Sequence, residues 1–92
     1  MRLVFTPRGW DDHRYWEMHD ERRLRRLNYL LENTKREPRR GAGDPLPLRY
    51  GLEGLWSRRI DDEHRLVYLV EDDQVVVLQA RQHYEDEDED RA

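Results

Sequence analysis

The 92-residue sequence contains no cysteine, so it cannot form disulfides or a cysteine-ligated zinc site. It also lacks an apolar run long enough for a signal peptide or a membrane-spanning helix. We therefore expect a cytoplasmic protein with one domain and one modest core. Its three Trp and five Tyr partly offset a hydrophobic fraction of only 36%, because each aromatic side chain buries a large area.

Lysine is nearly absent: of the 17 basic residues, 16 are Arg and only Lys35 is Lys. Arginine offers a planar, two-pronged hydrogen-bonding group to phosphate and stacks on bases, which lysine does not. The bias has two readings, the base composition of the genome or a surface that binds RNA.

The net charge of −4 is concentrated at the C-terminus. Residues 85–92 carry six acidic side chains and one Arg, which leaves 16 basic and 15 acidic side chains in residues 1–84. A segment with this many charges cannot pack into a hydrophobic core. We therefore expect a folded domain at 1–84 followed by a disordered acidic tail at 85–92. The tail is interpreted as solubilising; the alternative is an acidic strand that mimics RNA and covers a basic site.

The order of elements predicts an α+β fold, β-α-α-β-β-β-β. Thr6 before Pro7 is typical of a helix start, and Asp20 is suited to cap a second helix that ends before Pro38. Two helices packed on one face of a mostly antiparallel sheet would leave the other face open to a ligand. The predicted strands are Arg2–Thr6, Leu48–Tyr50, Leu55–Ile60, His64–Val70 and Val75–Gln82; the helices are Pro7–His19 and 21 to about 37, and residues 35–47 form a basic loop.

Polar residues able to hold and cut a phosphodiester concentrate in the hairpin 55–68 and in the segment 81–84. Metal-free RNA cleavage requires a base, cations that stabilise the phosphorane, and an acid for the leaving oxygen. Arg65, with Arg59 or Arg81, supplies the charge, and His83 has a pKa suited to the acid. We expect Arg58 to pair with the acidic turn Asp61, Asp62 and Glu63, and His64 to be structural.

Several motifs resemble the YoeB toxins of the RelE/ParE superfamily of toxin–antitoxin modules, across essentially residues 1–84. The most specific are Trp56–Ile60 (Trp-Ser-Arg-Arg-Ile) and Glu63–Tyr68 (Glu-His-Arg-Leu-Val-Tyr). The others are Trp10-Asp-Asp, Tyr15-Trp16, the loop Gly41–Pro47 and His83-Tyr84. Family members usually stop at His-Tyr, so the acidic extension is a departure.

The resemblance implies a RelE-like fold and a ribosome-dependent endoribonuclease that cuts messenger RNA in the ribosomal A site. It implies no metal and no cofactor. It also implies a YefM-like antitoxin that neutralises the toxin, an operator-DNA complex formed with that antitoxin, and a homodimer.

The resemblance also assigns residues to roles. Arg65 matches the phosphate-stabilising arginine, His83 the general acid, and Tyr84 the aromatic residue that stacks on RNA. Glu63 matches an acidic neighbour of the site. The expected RNA-binding residues are Arg49 and Arg59, which match basic family positions, together with Arg81 and the loop residues Arg39 and Arg40.

One position departs from the family pattern. The general base of the family is a Glu between the two loop prolines, and Leu46 occupies that position here. Glu63 is the acidic candidate nearest in sequence to Arg65, and we favour it as the base over Asp44 and Glu53. Alternatively, cleavage proceeds without a strong base, or the protein blocks the A site with weak or no cleavage.

Overall fold

The computed structural model describes residues 1–49 and 53–82. Within these residues the chain forms two helices and five strands. Their bounds are β1 Arg2–Phe5, α1 Pro7–His19, α2 Glu21–Arg36, β2 Leu46–Pro47, β3 Leu55–Arg59, β4 Arg65–Val70 and β5 Gln74–Gln79.

Local capping chemistry sets the limits of both helices. The Thr6 hydroxyl accepts the Gly9 N–H at 3.0 Å, and Pro7 occupies the first helical position, where no N–H is needed. Asp20 ends α1 and begins α2: its N–H donates to Trp16 O at 2.9 Å, and its carboxylate accepts the Arg23 N–H at 3.0 Å. The two helices therefore meet at a single residue, as the sequence predicts.

The strands form one mixed sheet in the order β1-β5-β4-β3-β2. β1 runs parallel to β5, and the other neighbouring pairs are antiparallel. Both helices lie on one face, so the predicted α+β class is confirmed. The core between the layers consists of Trp16, Leu27, Leu30, Leu31, Ile60, Leu66, Tyr68, Val70, Val75, Val77 and Ala80.

The short strand before β3 differs from the prediction. The sequence places it at Leu48–Tyr50, whereas β2 is Leu46–Pro47, and Tyr50 lies outside the described residues. Prolines at 45 and 47 favour extended backbone at and before them, and a proline is tolerated because β2 is an edge strand. The pairing continues one residue further, since Leu48 N–H donates to Leu55 O at 2.9 Å.

The last strand ends at Gln79 rather than at the predicted Gln82. Directly beyond it, both backbone groups of Ala80 bond to side chains of α1: Ala80 N–H donates to the buried Asp12 carboxylate at 2.9 Å, and Ala80 O accepts Trp16 Nε1–H at 2.9 Å. This diversion from the ladder brings the end of β5 close to the helices.

The sheet face away from the helices is less open than expected. Leu55, Ser57 and Val67 lie on that face and are at most 3% exposed. On the same face, Arg59 is exposed and Arg65 is half-buried. Neither helix in the described part of the chain is long and apolar enough to cross a membrane.

Candidate active site

Two arginines lie opposite each other at one end of the sheet. Arg59 is the last residue of β3, Arg65 is the first of β4, and the antiparallel register pairs them directly. Neither guanidinium has an ion-pair partner within residues 1–49 and 53–82. Like charges directly across a pair of strands destabilise a sheet. This arginine pair (Arg59 and Arg65) would therefore be stabilised by an anion such as a phosphate.

A row of uncharged side chains lies next to the arginine pair on the same face. Leu46 pairs with Ser57, and Ser57 pairs with Val67. Leu46 is 56% exposed, while Ser57 is buried and its Oγ has no hydrogen-bond partner in the described chain. Leu46 is diagonal to Arg59 across β2 and β3, roughly 7–8 Å between Cα atoms in such a geometry. The side chain that this face presents diagonally across from Arg59 is thus aliphatic and cannot accept a proton.

Three carboxylates among residues 1–49 and 53–82 are candidates for a role at this face, Glu63, Asp44 and Glu53. Glu63, in the β3–β4 turn, is 73% exposed, and its ion contact is with His64 Nε2 at 3.6 Å rather than with Arg65. Asp44 and Glu53 are exposed residues beside β2 and β3. No group of three or more His, Cys, Asp or Glu suited to a metal occurs among the described residues.

The backbone of Gln82 is fixed by the first residues of β4. Arg65 N–H donates to Gln82 O at 3.1 Å, and Gln82 N–H donates to His64 Nδ1 at 2.7 Å. His64 itself is 8% exposed, which agrees with its structural interpretation. His83 and Tyr84 follow Gln82 directly in the sequence but lie outside the described residues.

Arg81 packs against α1. Its guanidinium carbon is 3.6 Å from the centroid of the Tyr15 ring, and its Nε is buried without a partner in the described chain. Tyr15 in turn stacks on His19 at 4.2 Å, with an interplanar angle of 19°. Arg81 therefore belongs to a cation–aromatic stack on α1, which sequence spacing alone did not indicate.

The remaining predicted RNA-binding residues lie around the basic loop. Arg39 and Arg49 are exposed. Arg40 is also exposed, but it pairs with Glu37 at 2.8 Å, which holds the pKa of that carboxyl below its usual value. Arg39 and Arg49 thus carry charge that no carboxylate within residues 1–49 and 53–82 neutralises.

The expectation for Arg58 is wrong. This side chain is fully buried and does not contact the acidic turn; it points to the helix side, where it binds the loop after α2. It donates to Asn33 Oδ1 at 2.6 Å and to the Tyr68 hydroxyl at 3.0 Å. It also donates to three loop carbonyls, Glu37 O at 2.5 Å, Ala42 O at 2.9 Å and Arg40 O at 3.0 Å.

The acidic turn is instead fixed from α2. Asp61 is bonded by Arg23 Nε at 2.5 Å and accepts the backbone N–H groups of Glu63 and His64 at 2.9 and 2.7 Å. Burial opposes ionisation of Asp61, but these hydrogen bonds hold its pKa below the usual value. The turn that joins Arg59 to Arg65 therefore has a rigid, ionised anchor.

Comparisons with known proteins agree with this architecture. The family sequence model for YoeB-like toxins of bacterial type II toxin–antitoxin systems matches residues 5–84. The toxin YoeB of Streptomyces coelicolor is 50% identical over 84 residues, which are 91% of this chain and all of the relative. A YoeB/ParE toxin from Agrobacterium tumefaciens superposes with a TM-score of 0.86 at 44% identity, over 91% of this chain and 100% of that one.

Two structures of a Staphylococcus aureus relative show its assemblies. One is a YoeB dimer, with a TM-score of 0.84. The other is a heterotetrameric YoeB–YefM toxin–antitoxin complex, with a TM-score of 0.81. Both are 34% identical to this chain and cover 91% of it and 98% of the solved chain.

The helix hairpin on a mixed sheet, with an arginine pair at the sheet end, thus defines a small RelE-like toxin of a bacterial toxin–antitoxin system. Within that class, the chain belongs to the YoeB family.

Proposed function

We propose that this toxin is an endoribonuclease that cuts messenger RNA in the ribosomal A site by attack of a 2′-hydroxyl on the adjacent phosphate. The observation that carries the proposal is the arginine pair, two guanidinium groups without carboxylate partners in the described chain, next to the backbone that leads to His83. Such a pair can bind the scissile phosphate and stabilise the charge that grows on it.

Stabilisation of the phosphorane and protonation of the leaving oxygen each have a candidate residue. The 2′-oxygen bonds to phosphorus while the bond to the 5′-oxygen breaks, and Arg65 with Arg59 stabilises the phosphorane. His83 donates a proton to the departing 5′-oxygen, and Tyr84 stacks on a neighbouring base. The products are a 2′,3′-cyclic phosphate and a 5′-hydroxyl, and no metal takes part.

The proton of the 2′-hydroxyl has no evident acceptor, because Leu46 cannot accept one. Glu63 is the candidate closest to Arg65 in sequence, but its carboxylate contacts His64. If water takes the proton, the reaction loses the roughly 10²–10⁴-fold that a general base contributes. The enzyme is then slow, and the ribosome supplies much of the positioning.

Arginines outside the pair would bind the flanking RNA. Arg39 and Arg49 are exposed and unpaired in the described chain, and Arg40 shares its charge with Glu37. Arg81 contributes from the α1 side, where it stacks on Tyr15. Because these contacts are electrostatic, binding should weaken as the salt concentration rises.

The partners follow from the relatives. A YefM-like antitoxin would neutralise the toxin, as the Staphylococcus aureus complex suggests, and the dimer of that relative supports a homodimer here. The toxin–antitoxin complex would bind operator DNA, and the toxin would act in the cytoplasm. Residues 1–84 would form the toxin domain, with 85–92 as a disordered tail.

Primer extension on messenger RNA during in-vitro translation tests the proposal. We expect breaks within the A-site codon that disappear in Arg65→Ala and in His83→Ala. Arg25→Ala is a matched control, because Arg25 is exposed on α2 and its one ion pair within residues 1–49 and 53–82 is with Glu21 at 3.4 Å. The cuts made by this variant should be unchanged.

The second candidate function is an A-site blocker with weak or no cleavage. It is favoured by one observation, the exposed Leu46 on the face of the arginine pair. Ribosomes that stall with an intact message would support this function and overturn the cleavage proposal.

A further inference from the structure

The residue before His83 is held by both of its backbone groups. Gln82 N–H donates to His64 Nδ1 at 2.7 Å, and Gln82 O accepts Arg65 N–H at 3.1 Å. The two residues that hold it are consecutive, and the second is half of the arginine pair. The backbone that leads to His83 is therefore tied to the phosphate-binding end of β4.

Gln82 needs to be held, because its backbone is strained. Its φ of 61° lies in the left-handed region, which residues with a side chain rarely adopt. Such conformations persist only when the surroundings enforce them, and they concentrate at functional sites. Without the bonds from His64 and Arg65, nothing among these contacts would hold Gln82 in that conformation.

His64 is itself rigidly placed. Its ring packs edge-on against Trp16, with centroids 4.8 Å apart, and Trp16 also bonds Ala80 O at 2.9 Å. Its backbone N–H donates to Asp61 Oδ1 at 2.7 Å. Trp16 of α1 thus contacts both the His64 ring, which binds Gln82, and Ala80, the residue that follows β5.

The hydrogen bond also makes Nδ1 of His64 an acceptor. Nδ1 accepts the Gln82 N–H, and the other ring nitrogen, Nε2, lies 3.6 Å from Glu63 Oε1. Protonation of Nδ1 would remove the acceptor. Among the residues that the structure describes, the charged and titratable groups around this ring are Asp61 and Glu63 from the turn, and Tyr15, His19, Asp20, Arg23 and Arg81 from the cleft beside it.

We propose that His64 is a positioning residue for the reaction: through Nδ1 it holds Gln82, the residue before His83 in the sequence, in its left-handed conformation. This inference rests on the proposed cleavage function. A displacement of about 1 Å in a catalytic group can lower a rate roughly 10²-fold. Loss of the acceptor should therefore slow cleavage without weakening binding to the ribosome.

Three substitutions at His64 test the role of the acceptor. His64→Asn places an amide oxygen near the position of Nδ1, His64→Gln places one near Nε2, and His64→Phe keeps the contact with Trp16 but has no acceptor. Amide hydrogen exchange of Gln82 in the purified toxin should accelerate about fivefold or more in the Gln and Phe variants. It should change by less than about twofold in the Asn variant.

Single-turnover cleavage on programmed ribosomes supplies the second readout. We expect the maximal cleavage rate to fall roughly 10–100-fold in His64→Gln and His64→Phe, while the toxin concentration at half-saturation stays within about twofold of wild type. In His64→Asn the maximal rate should stay within about threefold of wild type. If Phe disrupts folding, the Gln and Asn pair still compares the two acceptor positions.

The outcomes separate this inference from the proposed function. Unchanged Gln82 exchange in His64→Gln refutes the hydrogen bond, whether or not the toxin cuts RNA. Faster exchange with an unchanged cleavage rate refutes the positioning role. A wild-type toxin that never cuts refutes the proposed function and, with it, the role of His64 in proton transfer.

Discussion

Replacement of Arg58 by Met should destabilise the toxin strongly, although Arg58 is not part of the candidate active site. The buried guanidinium makes five hydrogen bonds, three of them to carbonyls of the loop after α2. Asn33 Oδ1 and the Tyr68 hydroxyl keep other bonds in the variant, to Ala42 N–H and Pro38 O respectively. The loop carbonyls lose charged donors that nothing in the described chain replaces.

The size of the effect follows from those carbonyls. An acceptor left unsatisfied costs about 1–3 kcal/mol, and two of them, Arg40 O and Ala42 O, have no second donor in the described chain. Removal of a buried charge offsets part of this cost. We expect a loss of about 3 kcal/mol in the free energy of unfolding, or roughly 12–24 °C in melting temperature for a domain of this size.

Thermal unfolding monitored by circular dichroism measures this loss. Arg58→Lys keeps the charge but not the planar fork, so it should fall between Met and wild type. Arg25→Met is the matched control, since the Arg25 side chain is 68% exposed and its one ion-pair partner in the described part of the chain, Glu21, is exposed as well. This variant should shift the free energy of unfolding by less than about 0.5 kcal/mol. A melting temperature for Arg58→Met within about 5 °C of wild type would refute the role of Arg58 as the anchor of the loop.

Three further predictions concern other parts of the chain. Gly9→Ala should destabilise by about 1–3 kcal/mol despite the better helix propensity of Ala, because its Cβ would lie 2.3 Å from Val77 O; chemical denaturation measures the change. The pKa of Asp61 is lower in the folded than in the unfolded chain, so its stabilising contribution is complete above about pH 4 and is lost as the pH falls through the lower folded value. The difference in melting temperature between wild type and Asp61→Asn should therefore shrink below pH 4, and a constant difference would contradict this. Deletion of 85–92 takes the net charge from −4 to +1 by removing six acids and one Arg, so we expect more aggregation in light scattering but unchanged cleavage. Tighter RNA binding at low salt after the deletion would instead support the tail as an RNA mimic.

Local signals in the sequence are sufficient to predict where both helices begin and where α1 ends. Thr6, Pro7 and Asp20 act on backbone groups within three residues of themselves, so capping rules place α1 and α2 correctly. The α+β class follows from the order of elements in the same way. The edge strand β2 is displaced from its predicted position, because prolines in the loop determine which residues extend and the partner strand determines where they pair.

Long-range contacts account for what the sequence did not reveal. Arg58 lies in a strand with polar residues on both faces, so alternation cannot say which face it occupies, and its acceptors are contributed by Asn33 and the loop after α2. The left-handed Gln82 and its bond to His64 depend on how β5 leaves the sheet. The arginine pair, in contrast, follows from the short turn that brings Arg59 and Arg65 into register.

The central claim is that the arginine pair and the segment after Gln82 cut messenger RNA although Leu46 provides no base. Single-turnover cleavage of A-site codons on purified ribosomes, with wild type and Leu46→Glu side by side, tests it most directly. We predict measurable cleavage by wild type and a rate up to roughly 10²–10⁴-fold higher in Leu46→Glu. Equal rates would mean that the base position does not limit the reaction. Cleavage by Leu46→Glu alone, with intact message on ribosomes bound by wild type, would contradict the claim and identify the natural toxin as an A-site blocker.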